Sequence, residues 1–115
     1  MSAPDIVSAT LYSALDGLSL RQRVAADNVS NIDTPGFRAA TVDFESTLRS
    51  AAAAGSTAAV TPSTGWSSAP AGPDGNNVDL ATETMTAMRS VFQYQLVTRA
   101  VDDRFALVKT ALGGM

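Results

Sequence analysis

From Asp79 to about Leu112 the chain places an apolar, small or β-branched residue every three and four positions without a break. The stripe is Leu80, Thr84, Ala87, Val91, Tyr94, Thr98, Val101, Phe105, Val108 and Leu112. Steps alternating between 4 and 3 average 3.5 residues, so they stay on one face of a long helix and cannot alternate across a strand. The ends agree with that period. Asp79 is placed to cap the first turn, with Thr82 and Glu83 beside the positive end of the helix dipole. Lys109 lies near the negative end, and Gly113-Gly114 supplies a stop. A helix this long with one apolar stripe requires a partner face.

A second stripe supplies one. Leu11, Leu15, Leu18, Gln22, Ala25, Val29 and Ile32 step by 4, 3, 4, 3, 4 and 3 through a helix expected from about Asp5 to Ile32. Gln22 is its single polar interruption, and Gly17 weakens it by roughly 1 kcal/mol relative to alanine. Thr34-Pro35-Gly36 ends it, because the residue before proline disfavours the helical region and glycine permits a turn. The expected fold is all-α, with two long terminal helices packed as an antiparallel coiled-coil-like pair and joined by an irregular, flexible middle. Its parts, together one domain, are residues 1–36 (N-terminal helix and Asn/Thr-Pro-Gly motif), 37–49 (a short post-turn element), 50–77 (a low-complexity linker) and 78–115 (C-terminal helix). Within 37–49, Val42-Asp43-Phe44 and Leu48 are compatible with either an extended or a helical element.

Composition sets the size of the core. Of 52 apolar residues, 20 are alanine, and Leu, Ile, Val and Phe together number 25 of 115. That is close to the ~20% level below which chains tend towards disorder, so the core should be thin and open to completion by partners. Residues 50–77 are the extreme case: 23 of these 28 are Ala, Gly, Ser, Thr or Pro, and Trp66 is the single large side chain. Cysteine and histidine are both absent. Disulfides, thiolate metal sites and Ser–His–Asp or Cys–His catalysis are therefore excluded within the chain. A net charge of −3 gives no basic footprint for nucleic acid. Met1 to Leu20 lacks a basic n-region and an unbroken apolar core, so it does not read as a cleavable signal peptide, and no stretch suffices for direct membrane insertion.

The candidate chemical sites are weak. Asp74-Gly75-Asn76-Asn77-Val78-Asp79 faintly resembles a calcium loop, but Val78 and Met85 stand where oxygen ligands are needed, and a solvated turn leading into a helix cap is the better reading. Asn28-Val29-Ser30 fits a glycosylation sequon by chance, inside a helix. Asp102 and Asp103 point about 100° apart on a helix, so they form a solvated face and not a paired-carboxylate site. No glycine-rich phosphate loop exists. No cofactor and no enzyme activity are expected. The distinctive feature is polar: Asn28 and Asn31 share a helix face next to the Ala25/Val29/Ile32 stripe. Asparagine is a poor interior helix former. Two readings stand: a helix end fraying into its turn, or amides that pair with another subunit's backbone and fix register.

The stretch Asn28-Val29-Ser30-Asn31-Ile32-Asp33-Thr34-Pro35-Gly36-Phe37 resembles the N-terminal signature of the bacterial flagellar axial proteins, the rod and hook family. With Val42-Asp43-Phe44 it is most similar to the proximal rod subunit of the basal body. Gly75-Asn76-Asn77-Val78-Asp79-Leu80, Gln93-Tyr94 and Arg104-Phe105-Ala106-Leu107 resemble that subunit's C-terminal helix. Ser30, where alanine is usual, and the weakly charged run from Ala81 to Ala87 depart from the pattern.

The resemblance implies a structural subunit without cofactors, assembling by helix packing into the axial tube that carries torque from the membrane ring to the hook. It implies type III export on an uncleaved N-terminus, residence in the basal body, and other rod subunits, further copies of itself and membrane-ring or export-gate proteins as partners. Asn28, Asn31, Thr34, Gly36 and Phe37 are its signature positions. Leu11, Leu15 and Leu18, with Ala25, Val29 and Ile32, are expected to pack against Val91, Tyr94, Val101, Phe105 and Val108, within or between subunits. Met88 and Phe92, with Met85 and Leu96, lie off that stripe and are expected to form the intersubunit surface or to widen the buried stripe. The rival reading is a small secreted helical hairpin that dimerises into a four-helix bundle, suggested superficially by Gly65-Trp66.

Overall fold

A computed structural model describes residues 5–113. The elements run α1 (Ile6–Ser30), β1 (Ala40–Asp43), α2 (Glu45–Ala53), β2 (Ser63–Trp66) and α3 (Leu80–Gly113). Asp5 begins α1 by accepting a hydrogen bond from the Ser8 N–H at 2.7 Å. Asp79 does the same for α3, accepting from Ala81 N–H at 3.0 Å and Thr82 N–H at 3.4 Å. The expected glycine stop is half visible: α3 runs through Gly113, and Gly114 lies outside the described residues.

The two long helices are antiparallel. Asn28, late in α1, bonds to Glu83 at the start of α3, while Asp5 before α1 pairs with Arg104 towards the end of α3. Two hydrogen bonds hold the Asp5 carboxyl below its ordinary range, first that from the Ser8 N–H and then that from Arg104. The molecule is elongated, 67 × 25 × 19 Å.

The fold is not strictly all-α, which corrects the expectation from sequence. β1 and β2 form a two-stranded antiparallel ribbon, with Ala40 opposite Trp66 and Asp43 opposite Ser63. The reason lies in β1. Val42 is buried between exposed Thr41 and Asp43, a period of 2, and the strand lies against α1. Ser63-Thr64-Gly65-Trp66 is exposed throughout, so it has no burial pattern of its own and is held by backbone pairing to β1. The undecided stretch around Phe44 is extended first and helical second, passing from β1 directly into α2. Ser13 Oγ in α1 accepts a hydrogen bond from the Val60 N–H at 3.2 Å, which ties the following loop back to the first helix.

The core is as thin as the composition implies. Leu18, Val42 and Phe44 form its buried cluster, with Ala14, Leu20, Val24, Leu48 and Val97 packed around it. Phe44 lies across the α1 backbone at Gly17, where an added Cβ would stand 2.3 Å from the ring. Gly17 therefore exchanges helix propensity for a close aromatic contact. Arg21 closes the same junction: its two terminal nitrogens donate to the Glu45 carboxylate at 2.8 and 2.6 Å and to the Val42 carbonyl at 2.7 Å, with its guanidinium over the Phe44 ring. That bidentate contact holds the Glu45 carboxyl below its ordinary value of 4.5.

Two outcomes are expected. Gly17→Ala raises helix propensity yet forces a Cβ into a ring that is packed on all sides, so thermal or urea unfolding should show a net loss of about 1–3 kcal/mol. Unchanged or raised stability would show that Phe44 does not occupy this slot. For Glu45, a depressed folded pKa means stabilisation present above the ordinary carboxylate value and lost as pH falls through the folded value. The stability gap between the native chain and Glu45→Gln should thus be constant near neutrality and close below about pH 4.5. Partial exposure limits it to about 1 kcal/mol.

Candidate functional site

At the end of the molecule where α1 stops and α3 starts, three asparagine side chains are buried: Asn28, Asn76 and Asn77. Asn28 is 1% exposed and treats Ala40 as a strand neighbour would. Its Nδ2 donates to the Ala40 carbonyl at 2.9 Å and its Oδ1 accepts from the Ala40 N–H at 3.0 Å. The second Nδ2 hydrogen reaches Glu83 Oε1 at 3.1 Å. One amide therefore fixes β1 against α1 and both against α3.

The loop before α3 completes this end. Asn76 Nδ2 donates to the carbonyls of Asn31 and Thr34, both at 2.8 Å, satisfying acceptors left over where α1 ends. Asn77 Oδ1 accepts from the Ala39 N–H at 2.6 Å, and its Nδ2 donates to the carbonyls of Ser67 and Ala69 at 3.3 and 3.2 Å. The Gly36 N–H donates to the Asp74 carbonyl at 2.9 Å, bringing the two loops together. Gly36 and Gly75 both have positive φ, and a Cβ on Gly75 would lie 3.3 Å from the Gly36 Cα. Both glycines are needed where the loops cross.

The signature residues thus gather into one latch. Asn31 is the C-cap of α1: its Nδ2 donates to the Asp27 carbonyl at 2.9 Å and its Oδ1 accepts from Thr34 Oγ1 at 3.1 Å. Phe37 is half-buried, and its carbonyl accepts from the Asn77 N–H at 3.2 Å. The Asn28 and Asn31 amides do pair with backbone of this chain, Asn28 with Ala40 and Asn31 with Asp27, as does Asn76 with Asn31 and Thr34. The 74–79 segment is no solvated turn either, since Asn76 and Asn77 are buried. Their importance was missed because polar residues beside Gly read as loop. The available signal was an Asn pair at the start of one helix answering the Asn pair at the end of the other. Among the described residues no group of three His, Cys, Asp or Glu is arranged to hold a metal ion.

Of the two long helices, α1 turns its expected stripe inwards and α3 presents a different face. In α1, Leu18 and Ala25 are buried, and Leu11, Leu15, Gln22, Val29 and Ile32 are half-buried. In α3 the inner face is rotated by about one residue at alternate positions. Glu83 and Ser90 are buried, Ala87, Val97, Val101 and Arg104 half-buried, whereas Val91, Tyr94, Phe105 and Val108 are exposed. Small Ala87 and Ser90 let α1 approach, and the bulkier neighbours turn outwards. Met85, Met88, Phe92 and Leu96, spaced 3, 4 and 4, form a second apolar ridge about 160° around the helix from the buried pair. Met88 is 65% and Phe92 62% exposed. Ala87, Met88, Val91, Phe92 and Gln95 line a shallow groove beside this ridge. Towards the end of α3, Val101, Arg104, Phe105 and Val108 line a pocket with Asp5, Ser8, Leu11 and Tyr12 of the opposing arm. No described helix is long and apolar enough to cross a membrane.

Residues 9–38 match the family described as flagella basal body rod protein. Two curated relatives, each a flagellar basal body rod protein FlgB, come from Borreliella burgdorferi and Borrelia hermsii. Each is 57% identical over 37 residues, which is 32% of this chain and 27% of the relative. The matched part therefore spans about a quarter of the relatives' length. The family match covers Gly17, Leu18, Asn28, Asn31, Thr34, Gly36 and Phe37.

Replacing the central amide should weaken the whole latch. Asn28→Ala strips partners from both Ala40 backbone groups and from Glu83, and should cost roughly 2–3 kcal/mol in urea unfolding. Asn28→Asp keeps an acceptor for the Ala40 N–H but turns the donor into a second acceptor facing a carbonyl and a carboxylate. It should be no less damaging; full tolerance of both variants would show that this end is held by other contacts.

Proposed function

We propose that this chain is a structural subunit of the bacterial flagellar basal-body rod, of the proximal, FlgB-like type, acting by helix packing and not by catalysis. The observation that carries this reading is the family match over the segment that builds the latch, with Asn28 and Asn31 fixing the end of α1. The neighbours inferred for it are other rod subunits, further copies of itself and the ring or export components at the rod's base. Localisation in the basal body and export on an uncleaved N-terminus belong to the same proposal.

The physical form of the molecule supports it. The accessible surface is 7641 Å², against about 5,900 Å² for a compact monomer of this mass. The radius of gyration is 17.8 Å against about 13 Å. The surplus area is about twice one partner's share of a standard protein interface, as a subunit flanked on two sides needs. Within such a tube the α1–α3 pair is the coiled-coil-like unit, and the ridge of Met85, Met88, Phe92 and Leu96 is the face offered to a neighbour. Residues 54–73 act chiefly as linker, fixed at Val60 on Ser13, at β2, and through the Ser67 and Ala69 carbonyls on Asn77. Leu11, Tyr94, Val101 and Phe105 would complete contacts between adjoining helix pairs near the far end.

Charging the ridge tests this. Met88→Asp with Phe92→Asp leaves the inner face of α3 intact, so the isolated chain should keep its helical content by circular dichroism. Cells carrying the double variant as their sole copy should fail to swim in soft agar, and their isolated basal bodies should lack rods by electron microscopy. Normal swimming with unaltered rods would overturn the assignment of this face.

A further inference from the structure

Glu83 is the one charged residue among the described residues that is buried. Its carboxylate takes a single hydrogen bond, from Asn28 Nδ2 to Oε1, and both ion pairs among the described residues lie elsewhere. The first turn of α3 gives it no backbone donor, because Asp79 already accepts from Ala81 and Thr82. Oε2 accepts no hydrogen bond within the protein and is not sealed from solvent, in a residue otherwise buried, where an ion pair would be favoured. Beside it lies a cavity of about 220 Å³ between α1, β1 and the start of α3, with Ala40, Thr41, Ser67, Thr82 and Thr86 in its wall. Arg21 also lines the cavity, but both its terminal nitrogens are engaged by Glu45 and Val42.

An adjoining cavity shares Arg21 and Thr86 with the first and is more strongly charged, with Glu45, Arg89 and Gln93 in its wall beside Ser90, whose buried hydroxyl has no hydrogen-bond partner. Along one side of α3, Ser90 Oγ has no hydrogen-bond partner and the Glu83 carboxylate has one, from Asn28. A lone carboxylate in a wall that mixes Val24, Ala25 and Val42 with Thr41, Ser67, Thr82 and Thr86 is poor in ligands for a divalent metal, which takes several oxygen ligands and favours clustered carboxylates. It suits a planar or tetrahedral nitrogen cation, which one carboxylate neutralises while neutral oxygens accept the remaining N–H groups.

We propose that the Glu83 cavity is a receptor for a basic side chain, arginine or lysine, presented by an adjoining subunit. That the cation comes from a neighbour rests on the rod reading; the preference of the cavity for an organic cation does not. Glu83 supplies the charge through Oε2, and Asn28 holds the carboxylate in place. The contact would set the register of a neighbour against the latch, separately from the apolar ridge on the far side of α3.

The full chain, labelled with ¹⁵N, is titrated with methylguanidinium and, in parallel, with uncharged methylurea. Methylguanidinium should produce saturable amide shifts at Glu83, Asn28 and Ala40, with a midpoint about tenfold below any response at exposed Asp102 and Asp103. Methylurea should produce none. Glu83→Gln, which keeps an acceptor for Asn28, should abolish the response. Equal responses to the two probes, or none in the native chain, would overturn the cavity as a cation site whatever the variant does. With the cation site established, normal swimming of a Glu83→Gln strain would overturn only its occupation by a neighbour. The rod reading is decided independently by the Met88/Phe92 variant.

Discussion

Asn28 faces the peptide unit of Ala40 with both ends of its amide, and the rest of the architecture follows from that contact. A helix end and a strand start have no shared hydrogen-bond pattern, so packing alone would leave β1 free to slide along α1. A side-chain amide presents one donor and one acceptor with the spacing of a peptide, and it selects a single register. Once Ala40 is fixed, Val42 and Phe44 fall against Leu18 and Gly17, and Arg21 can grip Glu45 and the Val42 carbonyl. The third hydrogen bond, to Glu83, brings in α3. Polar contacts specify the arrangement here because the apolar core is too small to do so.

How much of this is legible in the amino-acid order differs by element. The two helices, their caps and the thinness of the core follow from local rules: period, cap chemistry and side-chain volume all act within a few residues. The choice of inner face in α3 does not. Val91 and Phe105 fit a stripe as well as Ser90 and Arg104 do, and hydrophobicity favours the former. At Ser90 the small side chain lets α1 pack close, and at Arg104 the ion pair with Asp5 holds the inner position. The ribbon was hidden for a related reason. Ser63-Thr64-Gly65-Trp66 carries no pattern, and it becomes a strand only because β1 has already been placed by Asn28.

The latch was half legible. Asn28 and Asn31 stood out as costly residues in a helix, which marks them as having partners, but a single chain cannot show whose backbone they meet. Asn76 and Asn77 were obscured by Gly and Pro neighbours that make any segment resemble a loop. They are buried because the turns after α1 and before α3 cross at Gly36 and Gly75, and that crossing is a long-range fact.

This division of labour bears on what α3 is able to do. A helix that spent its largest side chains on the intramolecular contact would have little left to offer another chain. Here the contact with α1 uses Ala87, Ser90, Val97 and Val101, while Met85, Met88, Phe92 and Leu96 stay outside. The outer ridge therefore takes no part in the intramolecular contact. Close approach through small side chains yields modest burial per turn, so the pair leans on the latch at one end and on Asp5–Arg104 near the other. A chain built this way keeps its geometry through a few polar fixings and leaves much of its apolar area outside. That ordering of forces inverts the usual globular one, in which the core holds the fold and the polar contacts trim its edges.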